Sequence, residues 1–145
     1  MSVTKENFDI VVSSFGYKYD QMPLANILLD VRFLTNPFYD PKMRLMSGLD
    51  NEVAEYIWSL DDSQESYQSF KDTVFETIPL YINKANISDN FPPTISIALG
   101  CTGGQHRSVA YAERLAKDLK NQDYKVQIQH RDLAESLKRE QERDI

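Results

Sequence analysis

Between Gly100 and Ser108 the chain reads Gly-Cys-Thr-Gly-Gly-Gln-His-Arg-Ser, putting adjacent glycines beside a thiol, an imidazole and a guanidinium. Two chemistries use such a set. Backbone N–H groups freed by glycines, at the positive end of a helix, hold an anion, and Arg107 would add a bidentate contact. The same residues also fit Cys-x-x-Gly-x-x-Arg-Ser, the spacing of cysteine-dependent phosphatases, with Cys101 as thiolate nucleophile and Arg107 as phosphate clamp. Such an enzyme needs a general acid for the leaving oxygen. Asp30, Asp40 and Asp132 are candidates, none singled out by spacing, and Gly100 stands where those phosphatases commonly carry His or Val. The loop therefore reads first as a holder of phosphate and second as a hydrolase.

The elements that must position the loop follow from hydrophobic periodicity. Thr94 to Leu99 reads as a strand, while Val109, Ala112, Leu115, Ala116 and Leu119 recur at helical spacing. Phe8 to Phe15 is an apolar first strand ending at Gly16. Ile27 to Leu34 is a second, with Leu29, Val31 and Phe33 on one face and Asp30 and Arg32 on the other. Residues 35–49 carry Asn36-Pro37 and Asp40-Pro41 and read as a long binding loop. Asp50 caps a helix with the stripe Val53, Tyr56, Ile57 and Leu60. After a break at Asp61-Asp62-Ser63 a longer helix carries Phe70, Val74, Ile78, Tyr81 and Ile82, with Pro79 expected to kink or divide it. Val126, Ile128 and His130 alternate with polar residues, the pattern of an edge strand. The tail from Leu133 is polar, helix-prone and expected to fray.

Strands alternating with helices indicate an α/β domain, a three-layer sandwich with a mostly parallel sheet and its ligand crevice at the strands' carboxyl ends. At 145 residues the chain fits one domain, with a core over about residues 8–133. A net charge of −6 argues against general nucleic-acid affinity. One cysteine excludes an internal disulfide and suits a cytoplasmic protein, and two histidines beside it do not supply a structural zinc set. No cofactor is indicated, and there is neither a membrane-length apolar run nor a signal-peptide pattern.

The crevice rule gathers further polar residues onto one rim: Lys18 after Gly16, Asp30 and Arg32, Asn36, and His130 with Arg131. Asp30 and Arg32, two apart on a strand, either pair with each other or orient a ligand. His130 is by default a core-edge histidine. The string His130-Arg131-Asp132-Leu133 imitates a kinase catalytic loop, but Leu137 occupies the metal-binding asparagine's place. Tyr17, Tyr19, Phe38 and Tyr39 read as packing residues rather than base-stacking platforms.

Several segments together resemble the C-terminal domain of the RapZ family of RNase adapter proteins. They are Ser14-Phe15-Gly16-Tyr17-Lys18, Asp30-Val31-Arg32-Phe33-Leu34-x-Asn36-Pro37, Gly48-Leu49-Asp50, Gly100 to Ser108, and His130-Arg131-Asp132-Leu133, in the family's order across Val11 to Leu133. The resemblance implies an α/β domain similar to a phosphofructokinase subdomain, with a pocket sensing glucosamine-6-phosphate. It also implies homo-oligomers that bind small regulatory RNA and present it to an endoribonuclease. Three departures are visible. No Gly-x-x-x-x-Gly-Lys-Ser/Thr marks an N-terminal kinase-like domain, which leaves open a stand-alone homologue or a fragment. Phe38 replaces a histidine that helps bind the sugar phosphate, and an acidic stretch from Glu140 replaces a basic RNA-binding tail.

The combined expectation is a non-catalytic domain that holds a phosphorylated metabolite. Cys101, Thr102, Gly103, Gly104, Gln105, His106, Arg107 and Ser108 form the phosphate loop, Asp30, Arg32 and His130 orient the sugar, Lys18 is a solvated charge or a phosphate contact across the crevice, and Asn36 and Arg131 complete the ligand-binding set. Replacing Arg107 by alanine is expected to remove binding with little loss of stability. A protein partner or self-association competes with RNA as the downstream contact, and an RNA adapter without ligand sensing is a further alternative.

Overall fold

Four apolar stretches form one all-parallel sheet in a computed structural model that describes residues 2–143. The strands β1 (Asp9–Gly16), β2 (Ile27–Asp30), β3 (Thr94–Cys101) and β4 (Lys125–His130) lie in the order β2-β3-β1-β4. Four helices accompany them: α1 (Asn51–Trp58), α2 (Asp61–Ile87), α3 (Arg107–Asn121) and α4 (Leu133–Arg143). The fold class is the α/β class read from the sequence, consistent with a three-layer sandwich. Among the described residues no helix is long and apolar enough to cross a membrane.

Register decides which side chains are buried. Val12 pairs with Ile97 and Ile128, and Ile10 with Ile95 and Val126, so these project from one face. That face lies under α3, whose Val109, Ala112, Leu115 and Leu119 are fully or almost fully buried. At about 25 cal/mol per Å² of apolar surface, this layer is the main source of stability. The opposite face, with Val11, Ser13, Ser96, Gln127 and Gln129, stays partly exposed. Tyr111 locks the helices together. Its ring stacks on Trp58 of α1 at 4.7 Å, and its hydroxyl donates to Ser63 O at 2.8 Å in α2.

Four sequence expectations are corrected. β2 stops at Asp30, because the Asp30 carboxylate accepts the Arg32 N–H at 2.9 Å and turns the chain. Phe33 is thereby exposed instead of sharing a buried face with Leu29 and Val31. The break before α2 falls at Ser59-Leu60, and Asp61 and Asp62 sit in the helix's first turn, where the dipole favours them. Pro79 does not divide α2. It is exposed, and the stripe Tyr67, Val74, Ile78 and Tyr81 packs on both sides of it, holding the helix in one piece. The C-terminal segment docks as α4, burying Leu133, Ser136 and Glu140.

The loop over residues 35–49 is clamped onto α3. Gly48 N–H donates to Gln105 O at 2.9 Å, and a Cβ at Gly48 would come within 2.4 Å of Ala110 N and 2.5 Å of His106 O. Gly48→Ala should therefore cost roughly 1–3 kcal/mol, as overpacking against rigid backbone does. A urea melt reads this as a lower midpoint; an unchanged midpoint would show that the loop is free to lift away.

Candidate functional site

The carboxyl ends of β1 and β3 meet through glycine backbone. Gly104 sits at φ +65°, a conformation that favours glycine, and a Cβ there would lie 2.7 Å from Gly16 N. Two further bonds fix the adjoining strand end: Tyr17 N–H donates to Cys101 O at 2.9 Å, and Lys18 N–H donates to Thr102 O at 3.2 Å. Lys18 is thus carried to the rim of the loop. The loop runs into α3, and no side chain caps that helix, so its first N–H groups are the free donors of a helix N-terminus.

A cavity of about 200 Å³ opens at this point. Its wall brings together Cys101, Thr102, Gly103, Gln105, His106 and Arg107 from the loop, and Lys18 from beyond β1. Asn36, Phe38 and Tyr39 come from the 35–49 loop, and Ser136 and Glu140 from α4. Arg107 is only 3% exposed; its Nη1 donates to Arg32 O at 2.7 Å and Leu34 O at 2.8 Å, and its buried Nε has no partner among the described residues. A buried guanidinium on a cavity wall, bound only to backbone carbonyls, suits an anion. Gly103 adds a second sign. It has no steric need to be glycine, since a Cβ would meet nothing closer than Ser136 Oγ at 3.9 Å and Lys18 Cε at 4.0 Å.

Other predicted residues have structural employment instead. Asp30 and Arg32 pair with each other at 2.7 Å, which holds the Asp30 carboxyl below its usual range, and the Arg32 guanidinium lies over Tyr17 at 3.7 Å. His130 accepts or donates with Ser14 Oγ at 2.7 Å and faces Glu113 at 3.3 Å, outside the cavity wall. The Ser14, His130 and Glu113 row imitates a hydrolytic triad, but Ser14 is fully buried and reaches no substrate. Arg131 donates to Gln21 O and to Asp132, and Ser108 Oγ is 3.1 Å from Cys101 Sγ. Gln105 and His106 sit in the wall with their side chains engaged. Gln105 Nε2 donates to Arg44 O and Met46 O, and its Oε1 accepts from Ser136 Oγ. His106 Nε2 lies 2.8 Å from Met43 O, and burial pushes the imidazole below its ordinary pKa, which favours the neutral form.

The three candidate general acids are likewise occupied. Asp132 Oδ2 accepts Gly16 N–H at 2.7 Å and pairs with Arg131, Asp40 accepts Lys42 N–H, and Asp30 holds Arg32. Arg107 also differs from its expected role. It ties two backbone carbonyls as well as facing the cavity, so its removal costs stability, about 1–3 kcal/mol for each buried group left unpaired. Sequence reasoning passed over Ser136 and Glu140, whose signal was the buried spacing with Leu133 in α4. It also took Phe38 and Tyr39 as simple packing residues.

A family model described as the RapZ C-terminal domain matches residues 8–134. A protein named "Nucleotide-binding protein" from Lactobacillus delbrueckii subsp. bulgaricus is 42% identical over 135 residues, covering 93% of this chain and 44% of its own length. Proteins of the same name from Lacticaseibacillus casei and Caldicellulosiruptor bescii are 45% and 42% identical, covering 87% and 93% of this chain. The chain thus spans less than half the length of these relatives, 40–44% of each. With the match running from the start of β1 through β4 and the glycine loop between them, the chain belongs to the RapZ C-terminal domain family.

Proposed function

We propose that this domain senses a phosphorylated metabolite, most simply a hexosamine phosphate such as glucosamine-6-phosphate, and holds it without hydrolysing it. The observation that carries the reading is the convergence, in one cavity, of a glycine loop opening an uncapped helix, the buried Arg107 with its unused Nε, and Lys18. Thr102 and Gly103 present backbone to the phosphate, Arg107 and Lys18 supply positive charge, and Asn36 faces the rest of the ligand. Occupancy would bias a downstream contact, either with RNA, with a protein such as an endoribonuclease, or between copies of the chain. A charge of −6 favours the protein contacts over RNA.

Hydrolysis by Cys101 is the weaker reading for this site. Its Sγ is paired with Ser108 Oγ at 3.1 Å, Arg107 is committed to two carbonyls, and each candidate acid is hydrogen-bonded elsewhere. Purified protein should leave p-nitrophenyl phosphate intact, with Cys101→Ser making no difference. Turnover that disappears in that variant would reverse the assignment.

Lys18→Gln and Gly103→Ala test binding without touching the core. Lys18 is exposed, and a Cβ at Gly103 meets only open space and side-chain tips. Each variant should keep the wild-type melting temperature yet bind glucosamine-6-phosphate about tenfold more weakly by calorimetry, a difference of about 1.4 kcal/mol. Wild-type protein at 100 times its dissociation constant should gain about 2.7 kcal/mol from the ligand and melt later. No thermal shift with any sugar phosphate, nucleotide or inorganic phosphate would remove the sensing function.

A further inference from the structure

The family match ends at residue 134, whereas two residues of the cavity wall, Ser136 and Glu140, lie beyond it on α4. This helix is not held by an apolar face. Leu133 is its one buried apolar residue, and polar and cation–π contacts accompany it. Ser136 Oγ donates to Gln105 Oε1 at 2.6 Å, and Arg139 lies over the Tyr19 ring at 4.7 Å. Arg143 lies over the Phe38 ring at 5.4 Å. Each of those partners sits on or beside a segment that walls the cavity. The helix is fitted to the site rather than to the core.

Glu140 is the residue this fitting puts in place. It is 6% exposed, lines the cavity, and has one partner among the described residues, Arg143 at 3.1 Å. That partner's side chain is 59% exposed, so the guanidinium end of the pair stays in water. A carboxylate withdrawn from water needs fuller compensation than that. It faces the same 200 Å³ space as Arg107 and Lys18. The cavity therefore has a cationic wall from the glycine loop and an anionic wall from α4. A simple phosphate satisfies the first and is repelled by the second. A ligand bearing both a phosphate and an ammonium satisfies both.

We propose that Glu140 is a specificity-determining residue, whose carboxylate receives a primary ammonium on the ligand and disfavours the hydroxyl counterpart of the same phosphate ester. The inference rests on the anion-binding reading above and adds the second pole of the ligand. Arg143, at the rim, competes for the same carboxylate in the empty site.

The test is calorimetry with glucosamine-6-phosphate, glucose-6-phosphate and inorganic phosphate on the wild-type chain and on Glu140→Gln, which keeps shape and removes charge. Wild type should prefer the amino ligand by about tenfold, as a close ligand charge pair does. In Glu140→Gln the amino ligand should weaken while glucose-6-phosphate and inorganic phosphate tighten, closing the gap. A merely structural glutamate would weaken all three together, and that result overturns the proposal. If Glu140→Gln does not fold, Arg143→Ala gives the reading from an exposed position. Freeing the carboxylate should widen the amino preference, and an unchanged or narrowed preference overturns it. Should wild type bind none of the three, the anion site itself fails. Should it bind all three equally, only the Glu140 assignment does.

Discussion

The site depends on one close approach of main chain to main chain, where Gly104 packs against Gly16 at the carboxyl ends of two adjacent parallel strands. A methyl group on either residue would fall within 2.7 Å of the other segment's backbone. Parallel strands end side by side, but their following loops ordinarily diverge. Here the glycine contact folds the β3 loop back across the end of β1, and Lys18 N–H seals it to Thr102 O. Asp132 then accepts the Gly16 N–H at 2.7 Å, which ties the start of α4 to the same point. Three elements distant in sequence acquire a common origin from which every cavity residue is measured.

Gln105 extends that frame outward. It is 3% exposed, and its single amide bonds Arg44 O and Met46 O on one side and Ser136 Oγ on the other. The loop over residues 35–49 and the helix α4 are thus joined through a side chain of the phosphate loop itself. Buried polar networks hold one geometry when every member is satisfied. Both walls are thereby referenced to the residues of the glycine loop.

How far the sequence discloses this depends on what kind of signal each part leaves. The strands and α3 were legible because burial on a sheet or helix face forces a period of two or of 3.6. The glycine loop was legible because few other tasks need adjacent glycines followed by an arginine. Asp30 and Arg32 were placed on the right strand end but not resolved between pairing and ligand contact, since two-residue spacing permits both. The end of β2 was missed because it is set by a local bond from the Asp30 carboxylate to the Arg32 N–H, which competes with a favourable strand pattern. Ser136 and Glu140 were missed for a deeper reason. They share the spacing of Leu133, but polar residues at that spacing read as a solvated face, and α4 has too little apolar surface to mark it as buried.

The same economy supports the proposed reading of the loop as a holder of phosphate over a hydrolase. A nucleophilic site keeps its reacting groups free: a thiolate aimed at the substrate, a guanidinium wrapped around the transferred group, an acid with a proton to give. This site spends those groups on architecture. Cys101 faces Ser108, Arg107 pins Arg32 O and Leu34 O, and Asp132 supports Gly16. What is left free of such duty is the Lys18 ammonium and the open side of Gly103, with the Glu140 carboxylate held only by the exposed Arg143. In the proposed reading those charges and that open space would meet a ligand's poles. The groups that would touch the ligand in that reading are anchored to the bonds joining α4 and the 35–49 loop to the core, so occupancy would be felt first by those two surface elements. They are where a partner would read it.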